Sequence, residues 1–535
     1  MESLVALIAL YCVVFGNGPW WSAVAAGRSL GDPATWLFMG CCFVMLVALH
    51  FFVLALPATR WTAKAWLTLI VIGTSFAVYW MRTYAVMLDP SMLRNVVSTD
   101  KREASELLTA ALAVNVVVWA VVPVAFIWWV RLDERPLLRA AGFKVAALII
   151  ALVVAVASVM PVSRDLTSLM RNQRELRYLV TPGNYLYSLG RNVMTDAKAV
   201  NAPKGVVGAD AQRVAAVVSA KPKVFVFVVG ETARAANFSL FGYSRETTPE
   251  LPTLEILPFS NVKACGTSTE VSLPCMFSPF GRADYDEDQI RGSEGLLQVL
   301  ARAGVVVKWT DNQSGCKGVC DGPGIEYRKP DKAYAPDLCD SDECLDEVLV
   351  RTLKQDLDAA SGDTVIVLHQ MGNHGPAYFR RYPPAFRRFT PDCATAELRN
   401  CSAEEVVNAY DNAILYTDHV LADIIRLLSA QSQRVDTAFL YVSDHGESLG
   451  ESGLYLHGLP YAIAPELQTH VPMIVWMSPG FAATSHVDVA CLRGRTKAAY
   501  SHDNLFHSLL GILDVTTTVY KPERDLFAPC RTGGT

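Results

Sequence analysis

The sequence predicts an α/β protein built in two parts: a membrane domain of five apolar helices, then a domain with a mostly parallel sheet covered by helices. Three observations support this. Of the 535 residues, 51% are hydrophobic, which is too apolar for an ordinary soluble protein. Long apolar stretches fill the first third, and short β-branched runs alternate with helical patterns afterwards. We expect a transmembrane domain at residues 1–162, a bridging helix and linker at 163–222, and an α/β domain at 223–535.

Five apolar stretches are the candidate membrane helices. They are residues 4–16, 36–56, 65–81, 107–130 and 145–160. Most are long enough to cross about 30 Å of hydrocarbon as a helix, but the first is short unless residues 17–26 extend it. A cleaved signal peptide is the alternative for that stretch. The missing basic region before it, and Trp20 and Trp21 after it, favour a retained helix.

The distribution of basic residues predicts the orientation. Arg60 and Lys64 flank one short connection, and further basic residues crowd the segment 131–144. If both connections are cytoplasmic, the fifth helix delivers the chain after Pro161 to the outside of the membrane. The formal net charge of -5 leaves no basic field of the kind that nucleic-acid binding needs, so we expect no nucleic-acid partner.

The cysteines indicate an oxidising compartment, because most of the 13 follow residue 190. Pairing by proximity predicts the disulfides Cys265–Cys275, Cys316–Cys320, Cys339–Cys344 and Cys393–Cys401, and leaves Cys491–Cys530 as a long-range pair. The alternative is a cytosolic zinc cluster at Cys316 and Cys320, but that spacing has no match elsewhere in the chain.

Three segments are more polar than the apolar stretches. One lies between two of those stretches, and the other two lie between the last stretch and the second domain. The loop at residues 82–105 has the composition of a solvated surface turn. Residues 165–178 have helical spacing with several arginines, which suits a helix lying along lipid headgroups. Residues 202–210 have the composition of a linker.

The second domain carries polar side chains at its strand ends. Apolar runs predict strands at residues 224–229, 305–309, 364–368, 438–442 and 471–476. Strands that are apolar on both faces and separated by helices indicate a largely parallel sheet. Ligands gather beyond the carboxyl ends of such strands, where Glu231, His369 and Asp444 fall.

Thr269 lies in a loop of small hydroxyl residues between two closely spaced cysteines. A threonine hydroxyl is a poor nucleophile until a metal ion or a base lowers its pKa. We expect Glu231, Asp444 and His445 to meet Thr269 around Zn²⁺, which accepts such oxygen and nitrogen ligands. The alternative for Asp444 and His445 alone is a strand end that caps the next helix.

Other histidines lie beside glycine-rich turns. His369, His374 and His457 suggest a second metal or a phosphate-binding site with acid–base capacity. The alternative is that each of these three is a structural histidine. We expect that structural role for His470, His486 and His507. For His502 both interpretations stay open.

Several longer motifs together resemble one family. They are residues 229–234, 241–243, 265–278, 369–376 and 443–450. Motifs of this length and order resemble the phosphoethanolamine transferases that modify lipid A, a family that includes the mobile colistin-resistance enzymes. The resemblance covers nearly the whole chain, and it implies an alkaline-phosphatase/sulfatase-like fold for the second domain.

The resemblance implies roles for individual residues. Thr269 matches the nucleophile that carries phosphoethanolamine, and its zinc-holding partners match Glu231, Asp444 and His445. Residues that match substrate-binding or second-zinc positions are His374, His457, Lys317 and, in the loop at 82–105, Asn95, Thr99 and Glu103. That loop is therefore expected to line a substrate pocket. Glu270 stands where well-known members have alanine, beside the position of an anionic substrate.

The resemblance also implies a two-step mechanism. Thr269 attacks the phosphorus of phosphatidylethanolamine, displaces diacylglycerol, and holds phosphoethanolamine until a phosphate of lipid A takes it. We expect one tightly bound zinc ion and room for a second, in a monomeric enzyme of the bacterial inner membrane with its catalytic domain in the periplasm. The product carries an added ammonium, so polymyxin resistance is the expected phenotype.

Alternatives stay open. A phosphoethanolamine or phosphoglycerol transferase would act on a lipopolysaccharide core sugar or a periplasmic glucan. A metal-dependent phospho- or sulfohydrolase would share the fold, but neither Cys265 nor Cys275 begins the C/S-x-P-x-R pattern of a sulfatase. A non-catalytic membrane scaffold would have no need to keep the four residues of the zinc set together.

Overall fold

The computed structural model describes residues 1–99, 104, 107–132, 135–200, 203–213, 221–340 and 343–532. The chain forms two compact units, which are Met1–Val97 with Leu108–Met194, and Ser98–Leu107 with Thr195–Thr535. The domain boundaries expected after residues 162 and 222 stay predictions.

The N-terminal third of the chain is helical. Its helices are α1 (Glu2–Phe15), α2 (Gly18–Ala25), α3 (Pro33–Ala55), α4 (Ala63–Thr83), α5 (Pro90–Ser98), α6 (Ala110–Trp129), α7 (Leu137–Val159), α8 (Ser163–Asn172) and α9 (Gly183–Val200). Helix α6 contains a π-helical turn at Val117–Val121. The loop at residues 82–105, which its composition alone would make a surface turn, contains α5.

Within the described residues, four spans are long and apolar enough to cross a membrane: α3, α4, α6, and α7 together with α8. Helices α1 and α2 meet at a bend of 53° and make a fifth span only if they are taken together. The bend falls at Asn17, whose side-chain amide donates to the carbonyl of Cys12 (2.8 Å) and so satisfies the end of α1. The expected count of five is met only with this bent pair.

The second unit is built on an eight-stranded mixed sheet. Its strands are β1 (Lys223–Gly230), β2 (Leu257–Lys263), β3 (Val306–Asp311), β4 (Ile325–Arg328), β5 (Thr364–His369), β6 (Asp436–Ser443), β7 (His470–Met477) and β8 (Tyr500–Ser501). Their spatial order is β8-β2-β7-β6-β1-β5-β3-β4. All neighbours are parallel except that β7 runs antiparallel to β2 and β6. The prediction of a mostly parallel sheet is confirmed.

Helices cover both faces of this sheet. They are α10 (Thr269–Met276), α11 (Glu287–Arg291), α12 (Leu296–Arg302), α13 (Glu347–Ala359), α14 (Ala403–Ala430), α15 (Glu466–Thr469), α16 (Pro479–Thr484), α17 (Val489–Gly494) and α18 (Leu505–Ile512). Three two-stranded ribbons lie outside the sheet: Gln212–Arg213 with Val515–Thr516, Ser448–Leu449 with Tyr455–Leu456, and Cys339–Asp340 with Glu343–Cys344.

Strand β1 lies inside the sheet and is buried on both faces. Phe225 and Phe227 pack in a core with residues of α10, α12 and α18. Val224 and Val226 pack in a second core with residues of α13 and α14. Because both faces are covered by helices, the end of β1 is held in place for the residue that follows it.

Candidate active site

Neighbouring strands end together at one edge of the sheet. Strands β6, β1 and β5 are parallel neighbours, so their carboxyl ends lie side by side. Glu231 follows β1 directly, Asp444 and His445 follow β6, and His369 is the last residue of β5. Asp311 ends β3 opposite His369. This edge therefore collects carboxylate and imidazole groups where parallel sheets bind ligands.

Helix α10 brings Thr269 to the same edge, because Thr269 is its first residue. The Ser272 hydroxyl, one turn further along, donates to the carbonyl of Asp444. Gly266 permits the preceding loop to pack against the helix, since a Cβ at this position would lie 2.7 Å from the Val271 side chain. The start of α10 is therefore tied to the turn that follows β6.

Glu231, Thr269, Asp444 and His445 form one buried cluster. The Thr269 hydroxyl donates to the Glu231 carboxylate, 3.0 Å from Oε1 and 3.2 Å from Oε2. His445 Nε2 lies 3.4 Å from Thr269 Oγ1, 3.5 Å from Glu231 Oε1 and 3.4 Å from Asp444 Oδ2. Thr269 is only 5% exposed and the other three are fully buried. The structure thus brings together the four residues singled out as a zinc set.

Hydrogen bonds orient the two residues that follow β6. His445 Nδ1 donates to the carbonyl of Gly446 (2.9 Å), so Nε2 faces the cluster and is the nitrogen that a neutral ring would offer to a metal ion. Asp444 Oδ1 accepts the backbone N–H groups of Thr232 (3.1 Å) and His445 (2.7 Å). Asp444 Oδ2 is buried and has no hydrogen-bond partner among the described residues.

The electrostatics of the cluster are those of a cation site. Burial raises the pKa of the Asp444 carboxyl to about 6, and the charge of Glu231 adds to this effect. Burial raises the pKa of Glu231 as well, but a hydrogen bond and the charge of His445 bring it below its ordinary range. Burial lowers the pKa of His445, but the charges of Asp444 and Glu231 outweigh burial and raise it to about 9. Two buried carboxylates that share one cluster favour a positive charge between them, which is either a proton on the imidazole or a metal ion.

The donor set fits zinc. One ligand atom each from Glu231, Asp444 and His445 lies within 4.8 Å of the others. The Thr269 oxygen is in hydrogen-bond contact with Glu231. Carboxylate oxygen, imidazole nitrogen and hydroxyl oxygen are donors that tetrahedral zinc accepts. The buried Asp444 Oδ2, which has no hydrogen-bond partner within the described part of the chain, is an oxygen that a metal ion would satisfy.

A second group of candidate metal ligands is built differently. Glu250, His419 and Asp423 also lie close together, but all three are partly exposed. The guanidinium of Arg426 donates to Glu250 (2.6 Å) and to Asp423 (2.9 Å). A cation is therefore already supplied there by the protein itself.

Two further histidines lie beside the cluster. The ring centroid of His457 is 4.4 Å from that of His445 and 5.9 Å from that of His374. Glu447 Oε2 accepts from His457 Nδ1 (3.2 Å). Burial lowers the pKa of His374 to about 3. Their expected role in binding substrate or a second zinc stays a prediction.

His369 faces Glu231 from the neighbouring strand. Its Nε2 lies 3.9 Å from Glu231 Oε2, which is beyond hydrogen-bond distance, and its Nδ1 donates to Asp311 Oδ2 (3.1 Å). Gln313 donates to the same Glu231 oxygen (3.1 Å). The sequence analysis missed Asp311 and Gln313. Asp311 had a signal, since it follows a predicted strand as Glu231 and Asp444 do.

Glu270 is the second residue of α10, and Lys317 lies beside it. Lys317 Nζ donates to Ser314 Oγ (2.9 Å) and lies 3.9 Å from Glu270 Oε2. Arg291, which the sequence analysis did not single out, donates to the backbone carbonyl (2.6 Å) and to Oε1 (2.7 Å) of Glu270. Lys317 and Arg291 both line a cavity of about 140 Å³.

The polar residues expected from the membrane half are placed only in part. Asn95 lies in α5 and Thr99 follows that helix, and both are half-buried. Glu103 lies outside the described residues. Their role in a substrate pocket stays a prediction.

Ten cysteines form five disulfides, and these are the same pairs that proximity indicates in the sequence. They are Cys265–Cys275, Cys316–Cys320, Cys339–Cys344, Cys393–Cys401 and Cys491–Cys530. The disulfide at Cys316–Cys320 removes the alternative of a zinc cluster at these two thiols. The free cysteines are Cys12, Cys41 and Cys42.

The fold and this site together define a class of protein: a membrane-anchored enzyme with a catalytic domain of the sulfatase type. The sulfatase family model matches residues 223–515, and the model of the phosphoethanolamine transferase EptA/EptB N-terminal domain matches residues 46–197. The chain belongs to the phosphoethanolamine transferase family.

Relatives match over almost their whole length. Phosphoethanolamine transferase EptA of Salmonella typhimurium is 38% identical over 482 residues, which are 90% of this chain and 88% of the relative. Phosphatidylethanolamine transferase Mcr-1 of Escherichia coli is 36% identical over 530 residues, which are 97% of this chain and 96% of the relative.

A solved structure supports the same family. It is the integral membrane lipooligosaccharide phosphoethanolamine transferase EptA of Neisseria meningitidis, which matches with a TM-score of 0.93 at 35% identity and covers 99% of both chains. This chain is therefore an integral membrane protein with a periplasmic catalytic domain.

Proposed function

We propose that this enzyme transfers phosphoethanolamine from phosphatidylethanolamine to a phosphate of lipid A through a covalent intermediate on Thr269. The observation that carries the proposal is the buried Thr269 hydroxyl, which donates to the Glu231 carboxylate within the cluster of Asp444 and His445. A threonine in this setting has what a nucleophile needs, which is a fixed direction and an adjacent proton acceptor. The enzyme acts as a monomer in the inner membrane.

The proposed reaction has two displacements at phosphorus. In the first, the Thr269 oxygen bonds to the phosphorus of phosphatidylethanolamine, the bond to the diacylglycerol oxygen breaks, and the Thr269 proton passes by way of Glu231 to the leaving alcohol. In the second, an oxygen of the acceptor's phosphate monoester bonds to the same phosphorus, the bond to Thr269 breaks, and the proton that the acceptor phosphate loses passes by way of Glu231 to the threonine oxygen. Atoms and charges balance over both steps.

Zinc is the proposed cofactor, held by Glu231, Thr269, Asp444 and His445. When bound, it supplies charge stabilisation to the threonine oxygen and to the phosphoryl oxygens. The residues themselves do the orienting: Asp444 is fixed by two backbone N–H groups, and His445 is fixed by the Gly446 carbonyl. The same proposal includes room for a second zinc near His374 and His457.

Other side chains supply substrate contacts in this proposal. Lys317 pairs with the phosphoryl oxygens, His374 and His457 bind substrate near Thr269, and His369 supports Glu231. In the membrane half, Asn95 and Thr99, with Glu103, bind the donor headgroup. The support for these roles is the family relationship and, for Lys317 and the histidines, their position beside the cluster.

The names of relatives support a lipopolysaccharide acceptor. The Neisseria meningitidis protein is named for lipooligosaccharide. A more distant relative in Salmonella typhimurium, 27% identical, is named Kdo(2)-lipid A phosphoethanolamine 7''-transferase. Members of the family therefore differ in the group that they modify, and a core sugar is the second candidate acceptor here.

The proposal is tested by mass spectrometry of lipid A from cells that express the wild type or Thr269→Ala. We expect a mass gain of one phosphoethanolamine group per modified phosphate with the wild type alone, together with lower susceptibility to polymyxin. Intact-protein mass spectra of the wild type incubated with phosphatidylethanolamine should show the same gain on the protein. If core-sugar fragments carry the phosphoethanolamine group and lipid A is unmodified, the acceptor is a core sugar and not lipid A. Diacylglycerol release by Thr269→Ala would contradict the nucleophile.

A further inference from the structure

Glu270 places a buried negative charge directly after the nucleophile. Its side chain is 4% exposed, and it is the second residue of α10. Both substrates of the proposed reaction bring phosphate groups to Thr269, so a carboxylate at this position repels them and weakens their binding. The cations that contact Glu270 indicate a second effect of this side chain.

Two cations meet this carboxylate. Arg291 donates to Oε1 (2.7 Å) and to the backbone carbonyl of the same residue (2.6 Å), and so clamps the first turn of α10. Lys317 Nζ lies 3.9 Å from Oε2, and this oxygen is buried without a hydrogen-bond partner among the described residues. Lys317 is itself only 7% exposed. A buried lysine needs a counter-charge, and the charge that faces it here is Glu270.

The loop that carries Lys317 is fixed independently of Glu270. Asp311 Oδ1 accepts the backbone N–H groups of Gln313 (2.9 Å) and Gly315 (3.1 Å), and the Cys316–Cys320 disulfide closes the loop around the lysine. The lysine backbone has a φ of 49°, a left-handed conformation that is uncommon for a side chain of this size. With the backbone held, the position of the ammonium depends on its side-chain partners, Ser314 and Glu270.

We propose that Glu270 is a positioning residue, which holds Lys317 and Arg291 beside Thr269 so that the Lys317 ammonium faces the phosphoryl group during transfer. The inference rests on the proposed function, in which Lys317 pairs with phosphoryl oxygens. Glu270 itself touches neither substrate. It makes the site less attractive to anions and at the same time keeps the cation in the place where charge develops in the transition state.

The test is the steady-state kinetics of Glu270→Gln in the full-length, zinc-loaded enzyme with phosphatidylethanolamine in mixed micelles. The glutamine keeps an oxygen for Arg291 but removes the charge that holds Lys317. We expect kcat to fall about tenfold because the cation loses its position, and KM for the donor to fall about threefold because a negative charge has left the site. A residue with only a structural role would lower the melting temperature and the active fraction and leave KM unchanged.

A double-mutant cycle with Lys317→Met separates the two roles further. If Glu270 acts through Lys317, the loss in kcat from Glu270→Gln is nearly absent in the Lys317→Met background. The matched control is Glu294→Gln, since Glu294 lines the same cavity and is paired with Arg302 instead. We expect its kcat and KM to equal those of the wild type.

Additive losses in the cycle, or an unchanged or higher KM in Glu270→Gln, would overturn this role of Glu270. These outcomes bear on Glu270 only when the wild type transfers phosphoethanolamine from the donor. A wild type that shows no transfer would instead overturn the proposed function, and the role of Glu270 with it.

Discussion

Glu231 and Asp444 are two buried carboxylates that destabilise each other unless a cation lies between them. The effect appears in the pKa of Asp444, which burial and the charge of Glu231 raise to about 6. We expect Zn²⁺ to raise the melting temperature of the wild type, because an ion that binds only the folded state stabilises it. Glu231→Gln should lose this rise and bind zinc roughly a hundredfold more weakly.

In the zinc-free protein the same substitution should lower the melting temperature, since the Glu231 carboxylate accepts hydrogen bonds from Thr269 and Gln313 and faces the imidazole of His445. Thermal unfolding with and without zinc, and competition with a chromogenic chelator, measure both quantities. An equal zinc-dependent rise in both proteins would show that Glu231 is not a ligand.

His507 gives the catalytic domain a pH dependence of stability that is unrelated to the active site. It is buried in α18, and its Nδ1 accepts the backbone N–H of Lys521 (3.1 Å). Burial, with the charges of Arg524 and Lys521, lowers its pKa from 6.5 to about 4. Above pH 6.5 the ring is neutral in both the folded and the unfolded chain, and between 6.5 and 4 only the unfolded chain takes up the proton.

The free energy of unfolding should therefore decrease as the pH falls through this window, and His507→Gln should have a smaller decrease. Melting temperatures of the two proteins in detergent, taken at several pH values, test this. Parallel curves for the wild type and the variant would contradict the assignment.

Among the elements, the turn after β6 depends on a glycine. A Cβ on Gly446 would lie 2.0 Å from the carbonyl oxygen of Leu467, and backbone atoms at this distance cannot both stay in place. Gly446→Ala should displace Asp444 and His445, lower the free energy of unfolding by about 1–3 kcal/mol, and weaken zinc binding. Gly494→Ala is the matched control, because a Cβ there meets nothing within 4 Å. Denaturant unfolding and zinc affinity measure the difference, and two variants with equal values would contradict it.

The strands that form the site are elements that periodicity predicts well. Strands β1, β5 and β6 are continuous apolar runs because helices cover both of their faces, and such runs are visible in the sequence. The short edge strands β4 and β8 are not, since their residues are partly exposed and carry no alternation. The bend at Asn17 was also invisible, because it depends on side-chain hydrogen bonds to Cys12 and Thr181.

For the whole molecule, the cysteines separate the membrane helices from the periplasmic domain. Of the 13 cysteines, only Cys12, Cys41 and Cys42 are free, and all three lie in membrane helices. Alkylation of the denatured, unreduced protein should therefore modify three thiols, and alkylation after reduction should modify 13. Mass spectrometry of protein purified from the membrane counts them. More than three thiols before reduction would mean that the catalytic domain had not folded in an oxidising compartment.

The sequence by itself determined the division into apolar helices and an α/β domain and the strand-end positions of Glu231, His369 and Asp444. These follow from local pattern, because burial dictates residue type along a strand and parallel strands place their ends at one edge. Only the tertiary structure decided which groups support the site. Gln313 and Arg291 reach it from a loop and a helix whose paths depend on packing between distant segments, and nothing in their local sequence indicates that contact.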